Sequence, residues 1–392
     1  MLINEIPNDC LLAIFDYIIA LDDLINCYQV CVKWSNLIAK RTKRTKYLID
    51  QCGYSFDTVY YCRPCPIDST YLSKLFTNLT IAELSFKFSD ELEHIIQFVT
   101  KQKCLKGLVN PRDEPIEKYC DNLEMLYADN FNPNNLRNGS ILKQLVIWDY
   151  SLEALTRDAH LFPNLERLQI GIRDYENMAP RNVRNEILRS DNPYDGPVLE
   201  KLKILELTFD RHHDICYGFQ LMDSCPNLQS AYISNSSTNW FIDEKLKHKC
   251  LQDLVIDFYE TVGCINAIDH WDILRRLFMK YPNLKHLRLR CRKVLTDTHI
   301  EQLVRILPNL VLLDVRESQD VTQRAADYVK DHCRRNGRSI KFYFKGNEHE
   351  IKSDWPQSTI KYETLRRGFD FMKHCFFKDF AELSPLLVPF GY

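Results

Sequence analysis

One phrase, Leu-x-x-Leu-x-Leu with conservative replacements, returns along this chain from about residue 80 onward, and a repeated unit narrows the possible folds more than any local propensity does. The clearest copies are anchored at Leu142/Leu145/Ile147, Leu165/Leu168/Ile170, Leu202/Leu205/Leu207, Leu251/Leu254/Ile256, Leu284/Leu287/Leu289 and Leu310/Leu313/Val315. Weaker copies stand at Ile81/Leu84/Phe86, Leu105/Leu108, Leu123/Leu126/Ala128 and Leu228/Ala231/Ile233. Several share a lead-in: Phe162-Pro-Asn-Leu165, Cys225-Pro-Asn-Leu228, Tyr281-Pro-Asn-Leu284 and Leu307-Pro-Asn-Leu310, with Cys120-Asp-Asn-Leu123 a variant. Each phrase reads as a short strand whose alternate leucines point inward. The segment before a lead-in reads as a helix, as in Thr298 to Ile306, where Ile300, Leu303 and Val304 share one side. The unit is strand, turn, helix.

Most first anchors lie about 18 to 26 residues apart, a spacing that resembles the leucine-rich-repeat family. The run from Leu284 through Cys291 to Leu307 is similar to its cysteine-containing subclass, although most units lack the matching cysteine. A longer gap follows Leu165, and its polar, proline-bearing stretch Arg173 to Pro197 is expected to project as a loop. The resemblance implies an α/β fold, a leucine-rich-repeat solenoid with a curved parallel sheet and outer helices, whose concave surface receives another protein.

With the anchors inward, alternation puts the intervening residues on the concave face. They include Met125, Tyr127, Gln144, Val146, Trp148, Arg167, Gln169, Glu206 and Tyr232, then Asp253, Asp257, His286, Arg288, Arg290, Asp314 and Arg316. Tyr, Trp and Arg dominate binding hot spots, so contact with a protein substrate is expected at Tyr127, Trp148, Arg167, Tyr232, His286, Arg288 and Arg290. The competing expectation is a sheet covered by the chain's own C-terminus. Ser339 to Phe344 reads as a last edge strand, and the aromatic stretch Trp355 to Tyr392, with Phe369, Phe371, Phe376, Phe377, Phe380 and Phe390, is expected to cap the array or fold back along the concave face.

A chain of 392 residues exceeds the size at which one core keeps growing, which suits a repeat array. Its 45% hydrophobic and 27% charged residues are ordinary for a globular protein. A formal charge of −2 supplies no overall positive field, so no nucleic-acid partner is expected. The most apolar early stretch, Cys10 to Ile25, is interrupted by Asp16, Asp22 and Asp23, so no membrane association is expected. Met1 to Glu5 shows no secretory pattern. The fifteen cysteines are therefore expected as reduced, mostly buried thiols in the cytoplasm or nucleus.

The first forty residues differ from the rest. Pro7 suits a first helical turn, Asp9 complements the helix dipole, and Cys10, Leu11, Ile14, Phe15, Ile18 and Ile19 follow at helical spacing. Asp22-Asp23 heads a second helix with Leu24, Cys27, Tyr28 and Cys31, and a third stripe reads Val30, Trp34, Leu37, Ile38. Three such helices hold more apolar surface than their own core uses, which implies a partner. From Ile6-Pro7-Asn8-Asp9-Cys10-Leu11 through Leu21-Asp22-Asp23-Leu24 to Val30-Cys31-Val32-Lys33-Trp34, the segment resembles the F-box motif, with Ile6 for the usual Leu and Asp9 for the usual Glu. That family binds the Skp adaptor, and through it a cullin scaffold and a RING subunit. The resemblance implies docking through Ile6, Pro7, Leu11, Ile14, Phe15, Ile18 and Leu24, with Trp34 bracing the helices. The expected domains are an F-box over 1–45, a connecting segment over 46–79, the repeat array over 80–346 and the aromatic tail or cap over 347–392.

Other signals are weaker. Cys62-Arg-Pro-Cys65 with Cys52 lacks the ligands to complete a zinc site, and His212-His213-Asp214 lacks metal-binding spacing, so no metal or cofactor is expected. Lys40 to Lys46 reads as a charged exit from the third helix. No catalytic set is assigned. The expected function is that of a non-catalytic substrate receptor of a Skp-cullin-F-box ubiquitin ligase, with an adaptor-bound scaffold as the alternative.

Overall fold

The computed structural model describes residues 3–50, 57–61, 69–85, 88, 92–148, 150–171, 194–208, 215–235, 239–258, 270–291, 295–359 and 363–392. Cys52, Cys62, Cys65, His212, His213, Asp214 and most of the expected 173–197 loop lie outside these residues. Two compact units emerge. One comprises Met1–Ile147, Glu363–Gly368 and Pro385–Tyr392, the other Trp148–Tyr362 and Phe369–Ser384.

The first unit opens with three helices, α1 (Asn8–Asp16), α2 (Leu21–Val30) and α3 (Val32–Thr42), with Cys31 extended between the last two. A parallel sheet follows, of strands β1 (Tyr47–Ile49), β2 (Thr58–Tyr60), β3 (Ile81–Glu83), β4 (Gly107–Asn110), β5 (Met125–Ala128) and β6 (Gln144–Trp148), in the order β2-β1-β3-β4-β5-β6. Strands β1 and β2 lie within the expected connecting segment 46–79. Its helix Leu72–Leu75 also receives the Thr42 hydroxyl at Leu75 O. The helices are joined to the edge strand β2: Tyr60 N–H donates to Ile19 O at 2.9 Å, and Ala20 bridges Tyr60 in parallel.

The second unit arranges β7 (Arg167–Gly171), β8 (Ile204–Thr208), β10 (Ser230–Asn235), β12 (Asp253–Phe258), β13 (His286–Arg290), β14 (Leu312–Asp314) and β15 (Lys341–Tyr343) in that order, all parallel. Two-residue strands β9 (Ile215–Cys216) and β11 (Asn239–Trp240) pair separately. Helices Gly218–Asp223, His270–Phe278, Asp297–Ile306 and Gln323–Asn336 fall between strands. The strand–turn–helix unit read from the phrase is therefore the local architecture, an α/β solenoid pattern of three helices followed by parallel sheet with alternating helices. Anchors Leu168, Leu205, Leu254, Leu287 and Leu313 are fully buried.

The lead-in has a physical role. In each of its four copies the leucine N–H bonds back three residues, closing a turn. In three of the copies the asparagine also reaches the preceding turn: Asn227 Nδ2 donates to Glu200 O at 2.8 Å, Asn283 Nδ2 to Lys249 O at 2.8 Å, and Asn309 Nδ2 to Pro282 O at 3.0 Å. Each such bond satisfies a carbonyl that the strand ladder leaves open.

Among the described residues no helix is long and apolar enough to cross a membrane, and no group of three or more His, Cys, Asp or Glu is placed to hold a metal. The described cysteines are free thiols, and six of them, including Cys225, Cys291 and Cys375, are buried.

Candidate functional site

Helix α1 carries two apolar stripes. Leu11 and Phe15, four apart, point into the small helical core, and the Phe15 ring meets Trp34 edge-on at 5.0 Å. Pro7, Cys10, Ile14 and Tyr17 recur at three and four residues along the adjoining face, and all are exposed, Tyr17 at 88%. Lys33 Nζ donates to Ile6 O at 3.0 Å, which brings the start of α3 beside Ile6 and Pro7. Val30 and Val32, flanking the extended Cys31, are also exposed. Of the eleven exposed large apolar side chains among the described residues, five lie within the first 32 (Ile3, Ile14, Tyr17, Val30 and Val32), so this small domain presents a concentrated unpartnered surface.

That placement corrects part of the expected docking set. Leu11, Phe15 and Leu24 are core residues, at most 2% exposed, because α3 packs against both α1 and α2. Ile14 and Pro7 are exposed, while Ile6 and Ile18 are half-buried. Tyr17, Val30 and Val32 complete the surface. Their signal in the sequence was simple: Tyr17 lies ten residues after Pro7, on the same helical stripe.

The sheet face is built differently. In the second unit, residues 371–384 lie over the side chains that alternation turns away from the leucine anchors. Arg288 Nη1 donates to Phe376 O at 2.9 Å and Lys378 O at 3.1 Å, Arg167 Nη2 to Ser384 O at 2.9 Å, and Tyr232 Oη to Lys378 O at 3.4 Å. Arg290 Nη1 pairs with Asp379 at 2.8 Å. Phe380 stands edge-on to Trp148 at 6.2 Å and to Tyr232 at 5.6 Å, and Phe376 edge-on to His286 at 6.4 Å.

The expectation of an open contact face at Arg167, Tyr232 and Arg288 is thereby corrected. The covering segment takes the hydrogen-bonding and ring surface an incoming protein would use, and all three residues are buried. Trp148, His286 and Arg290 are half-buried at its margins. Tyr127 is buried within the first unit, where β17 (Leu386–Val388) packs against β5.

The charges of this face answer one another. Arg167 forms a fully buried pair with Glu206 at 2.7 Å, Arg288 approaches Asp314 at 3.4 Å, and Arg290 meets Asp257 at 2.9 Å and Glu317 at 3.2 Å. Burial raises the Asp257 carboxyl above its ordinary value even though Arg290 and Arg288 act to lower it. Burial likewise raises the Tyr232 phenol and the Cys375 thiol, so both stay neutral donors at physiological pH.

Strand β16 (Leu365–Arg367) pairs in parallel with β17 in the first unit. Gln144 holds Leu387 through both halves of its amide, accepting at 3.1 Å and donating at 2.5 Å. Arg367 grips Asp57 with bonds of 2.8 and 2.9 Å. Burial tends to raise the Glu124 carboxyl, but hydrogen bonds from Lys143, Tyr392 and Lys106 outweigh it and hold it at about 2. A carboxyl depressed in this way adds stability above its unfolded value of about 4.3 and loses it as pH falls toward 2. Glu124→Gln is expected to lower the melting temperature at pH 6 and to match the wild type near pH 2; a pH-independent difference would contradict this assignment.

Comparison with known proteins adds two findings. No curated protein matches the chain. Among solved structures it resembles the "Crystal structure of Rad7 and Elc1 complex in yeast", with 16% identity over 81% of this chain and 90% of that one and a TM-score of 0.37, so the fold stands on the strand pairing described above. The F-box-like family model matches residues 3–45, the three helices with the exposed apolar face, and the chain therefore begins with an F-box-like domain.

Proposed function

We propose that this chain is the substrate-recognition subunit of a Skp-cullin-F-box E3 ubiquitin ligase, its F-box docking the Skp adaptor and its leucine-rich repeats holding a protein substrate. The observation that carries the reading is the apolar surface left over on residues matched by the F-box-like model. Pro7, Ile14, Tyr17, Val30 and Val32 form the contact, Ile6 and Ile18 border it, and Leu11, Phe15 and Leu24 support it from behind. The bond-making chemistry belongs to the partners. The chain acts by raising the local concentration of substrate lysines at the conjugating enzyme, in the cytoplasm or nucleus.

The joint between the helices and β2 fixes the docking helices to the edge of the first unit's sheet. A second reading, an adaptor-bound scaffold without ligase function, is favoured by the covered state of the sheet face. The two differ in whether cullin accompanies the adaptor.

Ile14→Asp with Val32→Asp, in the full chain, tests docking. Both residues are exposed, so thermal stability is expected to stay near wild type, whereas adaptor recovery is expected to fall at least tenfold, corresponding to ~1.4 kcal/mol or more. Unchanged recovery of adaptor would sink the docking claim. Adaptor recovered without cullin would select the scaffold.

A further inference from the structure

Residues 371–384 touch their sheet in the manner of a bound peptide. Three of the bonds that hold them run from sheet side chains to main-chain carbonyls, at Phe376, Lys378 and Ser384, groups that any polypeptide supplies. Selectivity comes from rings and one acid. Phe376, Phe377 and Phe380 are buried, and Phe377 packs on Trp355 at 5.0 Å and on Tyr343 at 6.4 Å. Asp379 meets Arg290.

We propose that this sheet face is a groove for a turn-forming segment of a partner protein with an aromatic–aromatic–x–Asp–aromatic core, and that Phe376-Phe377-Lys378-Asp379-Phe380 is a tethered resident ligand which the partner must displace. The proposal rests on the receptor reading and names the chemistry its repeats select.

Two features make the resident segment separable from the sheet. It contributes no strand: its described structure is a helical turn, Phe371–His374, running into a hydrogen-bonded turn over 375–377, and a 3-10 turn, Phe380–Glu382, so lifting it breaks no rung of the ladder. The face is also balanced without it. Arg167 keeps Glu206, Arg288 keeps Asp314, and Arg290 keeps Asp257 and Glu317, so opening strands no buried charge. An ordinary core element, once removed, leaves unpaired groups behind.

The two ends of the segment continue into β16 and β17, which pair with each other. Displacement is therefore the opening of a closed loop, and the occupant stays at high effective concentration. A free competitor sees the face only in the open fraction, and its apparent dissociation constant is the intrinsic one divided by that fraction. Weakening the loop's grip tenfold lowers the apparent constant tenfold until the open form dominates.

The test uses the full chain and a fluorescein-labelled peptide of residues 371–384, read by anisotropy. The chain carrying Phe376→Ala and Phe380→Ala is expected to bind this peptide at least tenfold tighter than wild type, and a peptide bearing the same two changes is expected not to bind either chain. Hydrogen exchange on the unaltered protein supplies the second measurement: amides of 371–384 are expected to exchange well before those of β8, β10 and β12. Equal peptide affinity in the two chains overturns the proposal. So does exchange of the segment at the slow rate of those strands, or a double variant that no longer folds, because either makes the segment part of the core. Neither measurement involves the Skp adaptor, so failure of the groove and failure of docking are separately visible.

Discussion

Phe15→Ala is expected to cost about 3–5 kcal/mol of stability in the helical domain and to abolish adaptor capture as a consequence. The side chain is 2% exposed and packs edge-on against Trp34, so truncation removes both buried area and an aromatic contact, and leaves a cavity between α1 and α3. Helical circular dichroism and protease sensitivity within residues 3–45 measure the unfolding directly. Ile14→Asp, one residue earlier on the adjoining exposed stripe, is expected to lose capture with the domain intact. If Phe15→Ala left the domain folded while removing capture, Phe15 would belong to the interface after all.

The contrast between Phe15 and Ile14 shows what a helical pattern conveys and what it omits. Spacing placed Leu11, Ile14, Phe15 and Ile18 together on one amphipathic helix, and apolar residues beyond what three short helices can bury already implied a partner. Which stripe faces the sister helices is decided by where α2 and α3 cross, and three short helices leave that crossing open to tertiary packing. Tyr17 falls outside the expected docking set, yet a ring at the end of an exposed stripe is a natural anchor at interfaces.

The sheet was legible for a simpler reason. A strand that buries leucines at every second position and repeats with a fixed lead-in leaves little freedom, and the Pro-Asn-Leu turns supply their own stitching through asparagine. Strands β1 and β2 escaped because they are three residues long and lack the phrase: Tyr47-Leu-Ile49 and Thr58-Val-Tyr60 are too short to show a period. The face of the sheet was harder to read. Arg167, Tyr232 and Arg288 look like solvent-facing hot spots in sequence, and only a contact with residues more than eighty positions away buries them. The density of phenylalanine after Trp355 was the available signal, since such a stretch must bury itself against some surface.

Arg167→Ala is expected to destabilise the second unit by about 3–5 kcal/mol, because it leaves the Glu206 carboxylate buried and without its cation. Both side chains are 0% exposed, and Arg167 bonds Glu206 through Nε at 3.1 Å and Nη2 at 2.7 Å while also serving Gln169 and Ser384. Removing both charges is a different experiment. Arg167→Met with Glu206→Leu takes away the desolvated pair together, so its cost is expected to fall to about 1–3 kcal/mol, the share of the hydrogen bonds to Gln169 Oε1 and Ser384 O. Denaturant midpoints of the wild type, Arg167→Met alone, Glu206→Leu alone and the double variant close a thermodynamic cycle whose coupling is expected to exceed about 1.5 kcal/mol. Additive losses would mean that water reaches Glu206 once Arg167 is gone.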